Sequence, residues 1–138
     1  MAITGTTRHL DEDIDNELGW SAIVKANGML YLAGISAVHD ELGEAVAVAV
    51  GDPAGQINHI YDTMEKVLAL CGATLEHVVQ EIVFTTDMSV MGEANEARKK
   101  RYEGYKFPAT AGCQVSALDT PGCVVEVIAT AVDPESIL

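Results

Sequence analysis

A single carboxylate, that of Glu126, interrupts an apolar run near the end of the chain. The run extends from residue 123 to residue 132 and is rich in β-branched side chains, which predicts a buried strand. Burying an ionised carboxylate without partners is costly, so such a group is paired, protonated, or placed at a pocket where a substrate completes its hydrogen bonds. The competing interpretation is an edge-strand glutamate whose carboxylate reaches water. Glu126 is therefore the first candidate for a functional side chain.

The other side chains that could carry chemistry form no recognised site. The four histidines lie in four separate segments, and none has metal-ligand spacing from another histidine, a cysteine or a carboxylate: His9, His39, His59 and His77. The three cysteines form no Cys-x-x-Cys pair, and their odd number favours reduced thiols: Cys71, Cys113 and Cys123. No glycine-rich nucleotide motif or hydrolase elbow is present. We therefore predict neither a metal site nor a cofactor.

Length and charge limit the class of protein. The 138 residues suit one domain over 1–138, with enough chain to bury a core. The net charge of −13 repels phosphate backbones and anionic membrane surfaces, so nucleic acid is an unfavoured partner. No window reaches the roughly 18 apolar residues of a membrane span, and the start of the chain does not read as an export signal. A cytoplasmic protein is expected.

The first half of the chain predicts a strand hairpin followed by a helix. Residues 1–18 are polar and acidic and are interpreted as an arm or a first edge strand without chemistry. Two β-rich runs follow, at 20–25 and 29–35, and the Asn27-Gly28 pair between them is a strong hairpin signal. A short extra strand is possible near residue 46. Asp52 and Pro53 then have the types that cap and open a helix.

The second half predicts a second helix between further strands. Apolar residues at three- and four-residue spacing continue the first helix to Cys71, and Gly72 follows its end. Residues 78–88 predict a strand, and a more polar helix runs from Ser89 to about Tyr102. Strands at 110–117 and 123–132 complete the order β-β-α-β-α-β-β. The predicted fold class is α+β, with two helices on one face of a mixed sheet.

Across residues 18–133 the chain resembles the Rid (YjgF) family of small trimeric proteins. The segments that carry the resemblance are Gly19-Trp20-Ser21-Ala22, Asn27 to Gly34, Gln56, Val83 to Asp87, Asn95, Phe107-Pro108-Ala109 and Val125 to Ala129. Each segment is short, but their order and spacing together make coincidence improbable. The resemblance implies a chorismate-mutase-like α+β fold in a homotrimer, with small-molecule ligands bound in clefts at the subunit interfaces.

The resemblance also implies a reaction. Active members hydrolyse 2-aminoacrylate and related enamines or imines to a 2-keto acid and ammonia, without a cofactor. An imine carbon is already electrophilic, so the protein need only bind the molecule, support the protonated nitrogen and orient a water. Carried over by position, Glu126 is the catalytic carboxylate, Trp20 lines the cleft, and Asn95 lies beside it. Backbone groups near Gly34 and Cys113 complete the implied site.

One departure from the family pattern falls in the site itself. Active enamine deaminases read Phe-Pro-Ala-Arg, and that arginine clamps the substrate carboxylate, whereas this chain reads Phe107-Pro108-Ala109-Thr110. Losing a bidentate guanidinium contact is expected to cost about 2–5 kcal/mol of binding. Thr110 can offer one hydroxyl instead. Ala33, Ile35 and Gly112 also replace family residues, so the pocket should be less polar and less cationic.

Three functions stay open at this point. The first is a hydrolase of an enamine, imine or related C–N compound other than 2-aminoacrylate. The second is a non-catalytic protein that binds a small metabolite in the same fold. The third is a proteostasis or ribonuclease-like role, against which the negative charge counts. Basic residues before Thr110 could also reach an acidic substrate, although a solvated helix end is the favoured interpretation: Lys99, Lys100, Arg101 and Lys106.

Overall fold

In a computed structural model that describes residues 5–136, a seven-stranded mixed sheet carries two helices on one face. The strands are β1 (Thr6–Arg8), β2 (Ile23–Ala26), β3 (Met29–Leu32), β4 (Ile35–Ser36), β5 (Val38–Glu41), β6 (Glu44–Ala47), β7 (Val78–Thr85), β8 (Ala109–Gln114) and β9 (Val125–Val132). The helices are α1 (Glu12–Leu18), α2 (Pro53–Ala69) and α3 (Met91–Arg101). The predicted α+β class and mixed sheet are confirmed.

The sheet order places the last strand at the centre. The strands follow the order β1-β2-β3-β9-β7-β8, with β4 also paired to β9. The β7–β8 pair is parallel, and the other pairs are antiparallel. Strands β5 and β6 form a separate two-stranded hairpin. Strand β9 therefore has neighbours on both edges, and β8 lies at one end of the sheet.

A capping residue fixes the start of α2, and another caps the short turn that precedes α3. The Asp52 carboxylate accepts a hydrogen bond from the Gly55 N–H at 2.9 Å, and Pro53 takes the first helical position of α2. Before α3, the Asp87 carboxylate accepts from the Ser89 N–H at 2.9 Å, and a short 3₁₀ turn leads into the helix. The longest helix, α2, has 17 residues, and no helix within residues 5–136 could cross a bilayer.

The core lies between the sheet and the two long helices. Alternate side chains of the central strands face the helices and are buried, as the period of a strand requires. These buried residues include Leu30, Leu32, Val83, Val125, Val127, Ile57, Ile60, Met64, Leu68, Ala94 and Ala97. On the opposite face, Tyr31 is 47% exposed and Ile128 is 38% exposed. One face of the sheet is therefore open to solvent in the single chain.

Local sequence signals explain where the structure agrees with the predicted elements, and they also explain the added helix α1. The predicted hairpin is present, with Ala26 opposite Met29 and positive φ values of 51° at Asn27 and 77° at Gly28. Residues 1–18 were expected to be an arm or edge strand; Thr6–Arg8 pairs at the sheet edge, but α1 follows it. Asp11 caps α1, and acidic residues occupy its first turn, where the helix dipole favours negative charge.

Candidate functional site

Glu126 lies on the open face of the sheet, at the centre of β9. Its side chain is half-buried, and its neighbours in register are Ser36 on β4 and Phe84 on β7. Among residues 5–136, no side chain or backbone group hydrogen-bonds or ion-pairs with its carboxylate. Burial raises the pKa of Glu126, and the negative charge of Asp119 raises it further. The site thus holds an unpartnered carboxyl group that keeps a proton to a higher pH than an ordinary glutamate.

Gly34 makes room for this carboxyl group. A Cβ atom added at Gly34 would lie 2.5 Å from Glu126 Oε1 and 3.3 Å from its Cδ. The backbone of Gly34 does not occupy the left-handed region, so what the position requires is the missing side chain rather than conformational freedom. Gly34 and Glu126, two of the predicted site residues, are therefore in direct contact.

A row of residues crosses the sheet at the level of Glu126. Ser36 pairs with Glu126, Glu126 with Phe84, and Phe84 with Cys113 on the edge strand β8. Residues in register on neighbouring strands point to the same face. Cys113 is a free and exposed thiol. Cys113 thus lies on the same face as Glu126, with the ring of Phe84 between them.

Gln56 anchors the loop that leads into β9. This side chain is fully buried on α2, and its amide donates to the carbonyls of Val48 at 3.2 Å and Gly122 at 2.8 Å. Its oxygen accepts from the Val124 N–H at 2.9 Å. Because Val124 immediately precedes β9, these three bonds hold the start of the strand that carries Glu126.

A second group of predicted site residues is joined by Arg98 on α3. The guanidinium Nη1 donates to Asn95 Oδ1 at 3.3 Å, and Nη2 donates to Thr110 Oγ1 at 2.6 Å. Arg98 itself is buried, whereas Asn95 and Thr110 are exposed. Thr110 pairs in register with Glu81, whose side chain faces the helices. Asn95 and Thr110 therefore both contact Arg98 on the helix side of the sheet.

Arg98 belongs to a buried polar network centred on Glu81. The Glu81 carboxylate accepts from Tyr61 Oη at 2.9 and 2.8 Å, from Tyr102 Oη at 2.9 Å, and from Arg98 Nε. Burial, followed by the Glu81 charge, raises the pKa of both phenols, so both remain donors. Every described buried side-chain N or O atom has a partner. None of the predictions made from the sequence includes this network.

A signal for the network is present in the sequence. Glu81 lies between Gln80 and the apolar run Ile82-Val83-Phe84, so like Glu126 it is a carboxylate beside β-branched residues of a predicted strand. Arg98 lies on the helix face marked by Ala94, Ala97 and Tyr102, where three- and four-residue spacing indicates burial. A buried arginine and a buried glutamate on facing elements could therefore have been paired as candidates.

Trp20 lies apart from both groups. It follows α1, the residue is 50% exposed, and its backbone N–H donates to the Asp15 carbonyl at 3.0 Å. It lines a hollow of about 280 Å³ together with His9, Asp15 and Ser21, and His9 Nδ1 lies 2.8 Å from Asp15 Oδ2. A second hollow of about 400 Å³ is lined by Arg8, Lys25 and Cys71, among others. Glu126 lines neither hollow.

A single chain does not bring all the predicted site residues together. Glu126 and Cys113 face the open side of the sheet, whereas Thr110 faces the helices. Strand β7 lies between β9 and β8, and Thr110 is three residues along β8 from Cys113, so the backbones of Glu126 and Thr110 are roughly 14 Å apart. Within residues 5–136, no three histidine, cysteine or carboxylate side chains converge as metal ligands would.

Two of the basic residues before Thr110, Lys99 and Arg101, form ion pairs near the end of α3. Arg101 Nη2 contacts Asp62 and Glu65, each at 2.8 Å, and Lys99 Nζ lies 3.2 Å from Glu96 Oε1. These contacts are with exposed carboxylates on α2 and α3. They favour the interpretation of this segment as a solvated helix end.

Comparisons with known proteins point to one family. The family model described as Endoribonuclease L-PSP matches residues 11–133. Protein DfrA from Myxococcus xanthus is 34% identical over 109 residues, which are 79% of each chain. Reactive Intermediate Deaminase A, chloroplastic, from Arabidopsis thaliana is 29% identical over 112 residues, 80% of this chain and 58% of that protein. The crystal structure of Rv2704 from Mycobacterium tuberculosis, of the YjgF/YER057c/UK114 family, matches with a TM-score of 0.76 at 26% identity, covering 94% of this chain and 99% of that one.

Proposed function

The chain belongs to the Endoribonuclease L-PSP family, which includes the Rid (YjgF) proteins, and we propose that it is a cofactor-independent hydrolase of a small enamine, imine or related C–N compound. The observation that carries the proposal is Glu126, a half-buried carboxyl group without a partner among residues 5–136 and with a raised pKa. The name of the Arabidopsis relative, a reactive intermediate deaminase, supports the reaction class.

The chemistry requires one group that can both give and take a proton. An imine carbon accepts a water molecule while its nitrogen gains a proton, and loss of ammonia from the adduct leaves a carbonyl compound. Glu126 in its acid form donates to the nitrogen, and as a carboxylate it takes a proton from the attacking water. A raised pKa brings these two forms closer in population near neutral pH, which suits both steps.

The substrate differs from 2-aminoacrylate in this proposal. Thr110 occupies the position at which the resemblance places a carboxylate-clamping arginine. The nearby cation, Arg98, does not replace that arginine, because Glu81 already pairs with it inside the protein. A substrate that lacks the 2-carboxylate, or is larger, fits this arrangement better.

The site is completed by a neighbouring subunit in a homotrimer. Glu126 and Gly34 lie on the open sheet face, whereas Asn95 and Thr110 lie at the β8 edge on the other side. A cleft at a subunit interface would allow one chain to supply the first group and its neighbour the second. The exposed Tyr31 and Ile128 on the open face support a contact there between copies.

The test is hydrolysis by matched variants. Ammonia release from enzymatically generated 2-aminoacrylate, and from imines without a carboxylate, is measured for the wild type, Glu126→Gln and Glu103→Gln. Glu103 is an exposed glutamate beyond the end of α3 and serves as the control. We expect carboxylate-free imines to be the better substrates and Glu126→Gln to lose at least about a hundredfold in rate. Unchanged turnover in Glu126→Gln would contradict the catalytic role.

A non-catalytic protein that binds a small metabolite is the second candidate. The presence of Thr110 in place of the carboxylate-clamping arginine supports this candidate, because the loss of that arginine can accompany a loss of catalytic activity. The Thr110→Arg variant separates the two candidates. Turnover of 2-aminoacrylate in Thr110→Arg, with no turnover of any imine by the wild type, would favour binding alone.

Cleavage of RNA, which the family description suggests, is the least favoured activity. The net charge of −13 opposes the approach of a phosphate backbone. The unpartnered site residue is also an acid with a raised pKa rather than a cationic group that would neutralise phosphate.

A further inference from the structure

Arg98 determines which atoms of Asn95 are free to meet a ligand. A guanidinium group only donates hydrogen bonds, so the Asn95 atom that faces Arg98 Nη1 at 3.3 Å must be the amide oxygen. The amide nitrogen, with its two N–H donors, is then directed away from Arg98. Because Asn95 is exposed, these donors are available to a ligand.

The same guanidinium limits Thr110 to one free lone pair. The Thr110 hydroxyl accepts from Arg98 Nη2 at 2.6 Å and donates its only hydrogen to the Pro108 carbonyl at 3.0 Å. A hydroxyl has one donor and two acceptor positions. What Thr110 offers a ligand is therefore a single hydrogen-bond acceptor, held by the same guanidinium that holds Asn95.

This edge of the site is also electrically balanced. Arg98 pairs with the buried Glu81, and their charges cancel behind Asn95 and Thr110. A carboxylate placed here would receive N–H donors from Asn95 on one oxygen, while its other oxygen would face the lone pair of Thr110. A carboxamide or ureido group would satisfy both residues, since its carbonyl accepts from Asn95 and its N–H donates to Thr110.

We propose that the Asn95–Thr110 edge binds a neutral carboxamide or ureido group of the substrate, and that Arg98 is the residue that positions this edge. This inference rests on the proposed function, because the carboxamide or ureido group is taken to belong to the same molecule whose C–N bond is hydrolysed at Glu126. It accounts for how the chain can recognise a substrate without the clamping arginine.

The test compares two probes that differ in one group, pyruvate and pyruvamide. Dissociation constants are measured by titration calorimetry or ligand-detected NMR for the wild type, Thr110→Val and Thr6→Val. Thr6 is an exposed threonine on β1, at the opposite edge of the same sheet, and is the matched control. We expect the wild type and Thr6→Val to prefer pyruvamide by about tenfold or more, and Thr110→Val to lose most of that preference. Equal or tighter binding of pyruvate, or no detectable binding of pyruvamide, by the wild type would overturn the proposal.

The role of Arg98 is tested by the ratio of the two affinities. In Arg98→Met, Asn95 and Thr110 are free to reorient, so the preference for pyruvamide should fall towards one, whereas Arg101→Met should keep it. A ratio unchanged in a folded Arg98→Met would contradict the positioning role. If Arg98→Met does not fold, the Thr110→Arg variant is measured instead. Its new guanidinium should reverse the preference, so that pyruvate binds more tightly than pyruvamide by about tenfold or more. A preference for pyruvamide that is retained in Thr110→Arg would overturn the proposal.

Failure of this inference can be distinguished from failure of the proposed function. Glu126→Gln should abolish hydrolysis but retain the preference for pyruvamide, because the two groups that distinguish the probes, Asn95 and Thr110, are held by Arg98 and not by Glu126. A wild type that prefers pyruvamide but hydrolyses no imine supports the inference and contradicts the enzyme. A wild type that hydrolyses imines but prefers pyruvate contradicts the inference alone.

Discussion

Removing either partner of the buried Glu81–Arg98 ion pair should destabilise the protein more than removing both. The Glu81 side chain is 0% exposed and that of Arg98 is 6% exposed, so neither charge can turn to water. Arg98→Met leaves the carboxylate with two neutral phenol donors, and Glu81→Gln leaves the guanidinium without its counter-charge. The perturbations are these two single variants and their combination.

The magnitude follows from the number of groups left unsatisfied. Breaking a buried pair by removing one partner costs about 3–5 kcal/mol, because the remaining charge stays buried. In Glu81→Gln, Arg98 keeps Asn95 and Thr110 as acceptors, so we expect the lower end of that range, about 3 kcal/mol. In the double variant both charges are absent, and the glutamine oxygen can still accept from Tyr61 or Tyr102. The total loss there should be only about 1–2 kcal/mol.

The assay is urea unfolding of the four proteins at one protein concentration, because assembly would make apparent stability concentration-dependent. The coupling free energy from the double-mutant cycle should be about 3 kcal/mol or more, with the double variant more stable than Arg98→Met alone. Thr6→Val, at an exposed position on the edge strand β1, controls for nonspecific effects on the sheet. Additive single-variant losses would refute the reasoning that the two charges depend on each other.

Two further predictions concern the environment of Glu126. Gly34→Ala should lower turnover by about a hundredfold in a hydrolysis assay, because the new Cβ displaces the Glu126 carboxyl group. The free energy of unfolding should change by less than about 1 kcal/mol, because only the end of a flexible side chain has to move. Normal turnover would show that the observed position of the carboxyl group is not used. Glu126→Gln should stabilise the fold at pH 7 and show no gain below about pH 4 in urea unfolding. The folded state binds the Glu126 proton more tightly than the unfolded state does, because the pKa is raised in the folded protein. The free energy of unfolding of the wild type therefore falls as the pH rises from the ordinary glutamate pKa through the raised one. A Glu126→Gln variant that is less stable than the wild type at pH 7 would contradict this argument.

Most of the fold could be predicted because its signals are local. Asn27-Gly28 marks the turn, and Asp52 with Pro53 marks the start of α2, since these residues act within one turn of chain. Helix α1 was not predicted, because seven residues without a buried side chain give no apolar period. Its capping signals, Asp11 and Gly19, were present but followed no hydrophobic pattern.

The candidate site was predictable only in part, because its geometry depends on long-range contacts. Glu126 could be singled out from its apolar surroundings, but its contact with Gly34 needs the β4–β9 pairing. The bond from Arg98 to Thr110 joins a helix to an edge strand, and no spacing rule connects them. The family resemblance indicated Asn95 and Thr110 as site residues. It did not indicate which atoms of these two side chains are free to bind a ligand.

Glu81 and Glu126 show why a carboxylate in an apolar strand is an ambiguous signal. They lie on neighbouring central strands, and each is followed directly by two β-branched residues. The face of the sheet decides their roles: Glu81 points towards helices that supply an arginine and two tyrosines, whereas Glu126 points to the open face and has no partner among residues 5–136. A carboxylate whose bonds are all made inside the protein has no capacity left for a substrate. One with a raised pKa and free lone pairs can exchange protons with a bound molecule, which is why we assign the chemistry to Glu126 and the shaping of the ligand edge to Glu81 and Arg98.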